Sequence, residues 1–220
     1  MHRFTRLLSS AGAMAIALVV STAVAGKAAM TAALGAFDEA WSHVNDYTVN
    51  VKAHEVQGSS SQDRVYQYWF RKPHQAKTLI TSGDGRGSGG VWNGGDTVSG
   101  HQGGFLSGIH LTVSIHDGRA TSIRGYTIPD GLLQNQVGQY ENTKGELSQK
   151  DGANNTTEVD LKVASPESSG PNSGVTKMAI WFSNATHMPV RQVRWAGDAV
   201  VTDETWNDLK TNVGLTDKDF

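Results

Sequence analysis

The residue best suited to acid–base chemistry is His101, which lies in the run Gly100-His101-Gln102-Gly103-Gly104. A histidine flanked by glycines is accessible, and its imidazole titrates near neutral pH. The same residue types are typical of a turn that simply exposes a solvated imidazole. His101 is therefore the candidate for a functional loop, and nothing in the sequence makes it a catalytic residue.

Three other chemistries are not supported by the sequence. The eight histidines include His110 and His116 but no close His-x-His or His-x-x-x-His pair, and the chain has no cysteine, so no metal site is predicted. The glycines of 83–90 resemble a phosphate-binding loop, but a strand follows them where a nucleotide site needs a helix. No Gly-x-Ser-x-Gly motif is present. We therefore predict no catalytic residue, no metal and no cofactor.

An aromatic strand, 64–71, dominates the pattern. Successive strand side chains point to opposite faces, so Tyr66, Tyr68 and Phe70 share one face. Pro73 lacks a backbone donor and marks the strand end. The glycine-rich reversal 82–90 and the strand at Val91-Trp92 follow, which predicts a curled antiparallel meander with an aromatic inner wall.

Two segments have helical periodicity. Thr31 to Asp46 carries one apolar stripe, and a second candidate helix follows Pro129-Asp130-Gly131, with Asp130 as its predicted N-terminal cap. The stripe of the first helix comprises Leu34, Phe37, Trp41 and Val44. The apolar side of the second comprises Leu132, Leu133, Val137 and Tyr140. Both helices must pack on a sheet.

The rest of the chain is rich in strands and turns. Alternating patterns predict further strands at 47–56, 108–115, from 144 to 163, 177–182, 190–195 and 200–209. The predicted class is α+β, with one antiparallel sheet.

The first 25 residues have the features of a secretory signal peptide. Arg3 and Arg6 are followed by an apolar run, and Ala23-Val24-Ala25 forms a small-x-small cleavage site before Gly26. The alternative is an uncleaved anchor, since the run can be extended to the roughly 20 residues that span a bilayer. The sequence therefore predicts an exported protein with residues 26–220 as one domain, stabilised by its core without disulfides.

Charge gives little information about partners. The net charge is −2, from 19 basic and 21 acidic residues that are interspersed. There is no basic region for nucleic acid or an anionic membrane. We expect no nucleic-acid partner and a monomer.

Two motifs, together with the two helices, resemble the LolA/LolB-like superfamily of bacterial periplasmic proteins. The motifs are Tyr-x-Tyr-Trp-Phe-x-Lys-Pro at 66–73 and Trp-Phe-x-x-x-Thr-x-Met-Pro-Val at 181–190. The resemblance is to its less characterised branch of outer-membrane lipoprotein-sorting-protein homologues. It implies a strongly curved antiparallel sheet, an open half-barrel with helices covering its concave face, which can receive acyl chains. The glycine-rich insert 83–104 has no counterpart in the classical carrier.

These inferences predict a non-enzymatic binding protein with an apolar groove for the acyl chains of a lipid or lipoprotein. The predicted groove residues are Tyr66, Tyr68, Phe70, Leu111, Val113, Ile115, Ile180 and Phe182. The predicted lid helix carries Leu132, Leu133, Val137 and Tyr140. The alternative is an envelope sensor resembling the MucB/RseB branch, in which the same cavity serves binding to a partner protein.

Overall fold

The computed structural model of the protein describes residues 31–104 and 108–220. The predicted signal peptide, residues 1–25, lies outside the described residues. Within the described part, no helix is both long enough and apolar enough to cross a membrane.

A single antiparallel sheet of eleven strands forms the body of the molecule, in the order β6-β5-β4-β3-β2-β1-β11-β10-β9-β8-β7. The strands are β1 (Asp46–Gln57), β2 (Ser60–Arg71), β3 (Gln75–Gly83), β4 (Gly89–Trp92), β5 (Thr97–His101), β6 (His110–Ser114), β7 (Gly145–Gly152), β8 (Thr156–Val163), β9 (Lys177–Ser183), β10 (Pro189–Ala196) and β11 (Ala199–Thr211). The sheet is curved and open, with β6 and β7 at its two edges, and the predicted α+β class is confirmed.

The first helix, α1 (Ala32–Ser42), covers the concave face of the sheet. The Thr31 hydroxyl oxygen caps it by accepting from the Leu34 amide at 3.4 Å. Its apolar stripe is buried as predicted, and the Phe37 and Trp41 rings lie 6.0 and 5.9 Å from those of Phe182 and Phe70. The helix ends at Ser42 rather than at Asp46, because Asp46 begins β1.

The second helix, α2 (Leu133–Asn142), also packs on the sheet through the predicted side. Its predicted cap is wrong, since Leu132 occupies the cap position and the Asp130 carboxylate accepts from the Thr127 amide and hydroxyl, both at 2.7 Å. A 3₁₀ turn at Pro129–Gly131 places Asp130 too early in the chain to reach the helix. The Tyr47 hydroxyl instead accepts from the Leu133 amide at 3.2 Å.

The glycine-rich insert widens the sheet. The reversal after β3 is confirmed, and β4 and β5 follow it as two short strands. Gly83 has a φ of +82°, and a Cβ there would lie 2.1 Å from the Asp63 carbonyl oxygen, so this turn needs glycine. The insert thus adds the strands that separate β3 from the edge strand β6.

A long connection leads from β6 to α2 and contains no strand. Its later part, residues 119–131, which we name the strap, crosses the concave face. Arg124 holds it down by donating to the carbonyl oxygens of Val56, Pro171 and Ser173 at 2.8, 3.0 and 2.9 Å. The Tyr68 hydroxyl also donates to the Ile128 carbonyl oxygen at 2.8 Å. The strap therefore roofs the part of the concave face that the helices leave open.

Candidate functional site

The predicted groove residues separate into two groups. Tyr68, Phe70, Ile180 and Phe182 lie in the packed core beneath the helices, each at most 3% exposed. Tyr66 and Ile115 are half-buried against that core. Leu111 is 45% exposed and Val113 is half-buried on the edge strand β6. One open part of the concave face therefore lies on the side of β2–β6.

An outer chamber of about 130 Å³ lies between this side of the sheet and the strap. Glycines at the paired positions Gly90 and Gly100 leave space in its floor, and a Cβ on Gly90 would lie 3.0 Å from the Ile128 side chain. The large apolar lining residues are Ile80, Val98, Leu111, Val113 and Ile128. The rest of the lining is largely polar and includes the side chains of His101, Gln102 and Arg119, with Arg64 at the inner end.

An inner chamber of about 90 Å³ continues from the outer one. The two share Arg64, Thr78, Ile80, Ala120, Thr121 and Ile128. The far wall is polar, because Glu55, Glu204 and Gln136 line it. We name the outer and inner chambers together the groove.

Glu204 belongs to a buried hydrogen-bond network. The Tyr66 hydroxyl donates to Glu204 Oε1 at 3.2 Å, and the Gln192 amide donates to Glu204 Oε2. The same amide donates to Gln136 Oε1 at 2.7 Å, which connects the sheet to α2. The network thus fixes α2 over β10 and β11.

Arg194 is the charge at the centre of this network. It is fully buried, and its Nη2 donates to Gln136 Oε1 at 2.6 Å and to Gln139 Oε1 at 3.0 Å. Its guanidinium lies 5.1 Å from the Tyr126 ring centroid on the strap. Arg194 therefore supplies positive charge close to the two buried carboxylates and ties together the sheet, α2 and the strap.

Glu55 is 5% exposed on β1. Burial raises the pKa of its carboxyl, and the nearby charge of Glu204 raises it further. Hydrogen bonds from the Ser122 hydroxyl and the Arg124 amide act in the opposite direction on this pKa. The net direction is upward, so the folded protein binds a proton at Glu55 more tightly than the unfolded chain does.

We expect the Glu55→Gln variant to gain stability over the natural protein as the pH rises. A carboxyl with a raised pKa in the folded state stabilises below its unfolded pKa of about 4.3, and this contribution is lost as the pH rises through the folded pKa. The gain in stability should level off above the pKa of Glu55 in the folded protein, at about 1.4 kcal/mol for each unit by which folding raises that pKa. Urea unfolding from pH 4 to pH 8 measures it, and parallel curves for the two proteins would contradict it.

Known structures share this fold. Comparison of the sequence with protein-family models and with curated proteins gives no match. An uncharacterized conserved protein from Thermus thermophilus superimposes with a TM-score of 0.53 at 9% identity, covering 85% of this chain and 89% of that one. This likeness concerns the fold alone.

Two further structures are similar at lower scores. A LolA superfamily protein from Nitrosomonas europaea has a TM-score of 0.42 at 13% identity, with 86% of this chain and 95% of that chain covered. The lipoprotein LppX from Mycobacterium tuberculosis has a TM-score of 0.47 at 19% identity, with 84% and 96% covered.

His101 lies at the end of β5, at the rim of the outer chamber. It faces His110 across the β5–β6 ladder, with ring centroids 5.4 Å apart. In the described part of the chain, no cluster of three or more His, Cys, Asp or Glu side chains could hold a metal ion. His101 is therefore a strand residue beside the groove and not the centre of an open loop.

The sequence interpretation missed the polar network. Its signal was present in β10, where Gln192 and Arg194 share one face and Arg191, Val193 and Trp195 share the other. Neither face is uniformly apolar, so alternation alone does not show which one is buried. The face that is buried is the one that α2 covers, on a strand that lies between β9 and β11.

Proposed function

We propose that the chain is a non-enzymatic binding protein of the periplasm that shelters the apolar part of a lipid or lipoprotein in the groove. The observation that carries the proposal is the set of large aliphatic side chains, from Ile80, Val98, Leu111, Val113 and Ile128, that lines the outer chamber beside the edge strand β6. The exposed Leu111 and Ile109, at 45% and 52%, stand at this edge. The signal-like residues 1–25 support the location.

The hydrophobic effect supplies the binding energy. Each methylene that leaves water contributes about 0.8 kcal/mol, so a few methylenes are enough for measurable affinity. No specific polar contact is needed in a chamber lined by Ile80, Val98 and Ile128. Selectivity among acyl chains is accordingly low.

The polar end of the groove sets how deep an acyl chain goes. Glu55 and Glu204 are buried and lie beyond Arg64 in the inner chamber. An acyl chain at these carboxylates would remove their remaining solvation and offer no hydrogen bond in return. The acyl chain therefore ends near Arg64 and does not enter the inner chamber.

The strap limits the size of the ligand. The outer chamber, at about 130 Å³, is smaller than the roughly 300–1,000 Å³ of pockets that bury a drug-sized molecule. A long acyl chain needs the strap to move away from the sheet. The Arg124 side chain donates only to backbone carbonyl oxygens and to one side-chain amide oxygen, Gln57 Oε1. Movement of the strap therefore breaks hydrogen bonds of Arg124 but no ion pair of this residue.

Val113→Asp should weaken uptake of a fluorescent fatty acid at least tenfold. The new carboxylate would either be desolvated by the ligand or keep water in the outer chamber, and both outcomes cost binding energy. Thr112→Asp is the matched control, since Thr112 is the adjacent residue of β6 and points to the convex face. It should bind like the natural protein. Fluorescence titration of both variants, after circular dichroism has shown that they fold, provides the measurement.

Equal binding by the folded Val113→Asp and Thr112→Asp variants would contradict a lipid site in the outer chamber. A stable complex with an envelope protein, isolated with no lipid in the groove, would then favour the sensor function that the sequence left as the alternative. Mass spectrometry of lipids extracted from protein purified from the periplasm separates the two. A copurified acyl lipid supports the binding-protein function.

A further inference from the structure

The two edges of the sheet differ in chemistry. The β7 edge carries Glu146, Lys150 and Asp151, and Lys150 forms ion pairs with Glu158 and Asp160 at 2.9 and 2.7 Å. The β6 edge, His-Leu-Thr-Val-Ser, has no acidic residue, no lysine, no arginine and no proline. Charges and prolines are how proteins protect an edge from pairing with another chain. Only the β7 edge has this protection.

The pattern of hydrogen bonds between β5 and β6 shows which backbone groups of β6 face outward. The Ile115 amide donates to the Asp96 carbonyl oxygen at 3.0 Å, and the same register continues through the pairs Val98–Val113 and Gly100–Leu111. Hydrogen-bonded and non-hydrogen-bonded pairs alternate along an antiparallel ladder. Leu111 and Val113 therefore direct their N–H and C=O groups to β5. His110 and Thr112 direct theirs away from the sheet, and no strand lies beyond them in the described residues.

The side chains of β6 add a second requirement. Leu111 and Val113 line the outer chamber on the concave face. Thr112 lies on the convex face, where its hydroxyl is 2.8 Å from that of Ser99, and His110 shares this face. A chain that pairs with β6 would extend both faces, so it needs apolar and polar side chains in alternation.

We propose that an extended peptide segment of a partner protein adds to β6 as a twelfth strand. Its backbone pairs with the outward groups of His110 and Thr112, its apolar side chains extend the wall of the outer chamber, and its polar side chains lie on the convex face. Main-chain hydrogen bonds supply affinity and the side-chain alternation supplies selectivity. This site adjoins the lipid site but is recognised differently, because it uses the backbone of the edge.

A second copy of the chain is a weaker occupant. The five residues of β6 span about 17 Å, so two such edges joined to each other form a short contact. Stable protein interfaces bury about 1,200–2,000 Å². An extended segment of a flexible partner needs no such area around the edge.

The test uses a fluorescein-labelled peptide with the sequence Gly-Ile-His-Leu-Thr-Val-Ser-Ile, the residues 108–115 of this chain, which has the required alternation. Thr112→Pro removes both the outward backbone amide and the side-chain hydroxyl but keeps the hydrogen bonds between β6 and β5. Thr112→Val is the matched control, because it loses the hydroxyl and keeps the amide. Fluorescence anisotropy with the full chain should show binding to the natural protein and, within twofold, to Thr112→Val. Binding to Thr112→Pro should be at least tenfold weaker, with fatty-acid uptake unchanged.

Three results would overturn the proposal. The first is no binding of the peptide at about 1 mM protein, which corresponds to a binding free energy of only about −4 kcal/mol. The second is equal affinity of the peptide for the proline and valine variants. The third is a concentration-dependent dimer of the natural protein that Thr112→Pro abolishes. The last would assign the edge to a second copy. If Thr112→Pro does not fold, peptides N-methylated at single amides replace it. Methylation of alternate amides, those that face β6, should abolish binding, and a uniform effect at every amide would contradict strand addition.

Discussion

Replacing Arg194 by methionine should destabilise the protein by about 3–5 kcal/mol, because the change removes one partner of a buried charge network and keeps the others. Arg194 is fully buried, so methionine fills much of its volume. The Gln136 and Gln139 side-chain oxygens then lose a charged donor. Glu204 and Glu55 lose the attraction of its positive charge. Urea unfolding followed by fluorescence measures the change in the free energy of unfolding.

Arg191→Met is the matched control for this prediction. Arg191 is on the same strand, but its side chain is 46% exposed on the convex face, where it pairs with Asp203 at 2.8 Å. Exposed ion pairs contribute about 0–1 kcal/mol. Equal losses in the two variants would show that the concave network has no special importance. A more stable Arg194→Met variant would show that the cost of desolvating the guanidinium exceeds what its contacts contribute.

The Phe37→Ala variant should lose about 3–5 kcal/mol of stability, the usual cost of truncating a buried phenylalanine. The Phe37 ring lies 5.8 Å from that of Trp41 and 6.0 Å from that of Phe182, so its loss leaves a cavity between α1 and the sheet. Glu39→Ala, on the exposed face of the same helix, is the control and should change little. Thermal unfolding of both variants measures the difference.

A cavity of this kind also offers a second measurement. Dry apolar cavities left by core truncation bind small apolar molecules such as benzene. Benzene should therefore raise the melting temperature of Phe37→Ala more than that of the natural protein. If Phe37→Ala and Glu39→Ala were equally stable, α1 would not be packed on the sheet as described, and the concave wall at Phe182 would be open to ligands.

Much of the fold could be predicted from local patterns. Alternation located the aromatic strand with Tyr68 and Phe70 on the buried face, and the helical stripe located α1. Glycine runs located the reversal between β3 and β4. These features depend on residues close in the chain, because strand alternation, helical periodicity and turns are properties of short segments.

The candidate site was harder to predict, because it depends on which parts of one face remain uncovered. Tyr68 and Val113 both lie on the concave face. The helices and the strap cover Tyr68, whereas Val113 lies at an open edge of the sheet. The burial of Arg194 and the role of Arg124 depend on contacts with segments far away in sequence. A short segment with charges and no periodicity, such as the strap, indicates a solvated loop until its partners are known.

The strand order also bears on how the chain folds. Within the described sheet, strands β1 to β6 form one meander of neighbours in sequence, β7 to β11 form another, and the pairing of β1 with β11 joins them. That pairing brings together residues more than 140 positions apart, such as Glu55 and Thr202. Closing so long a loop costs entropy before any contact compensates for it. We therefore expect the two meanders to form first and the central seam to join last, at the place where Glu55 and Glu204 come together beneath α2 and the strap.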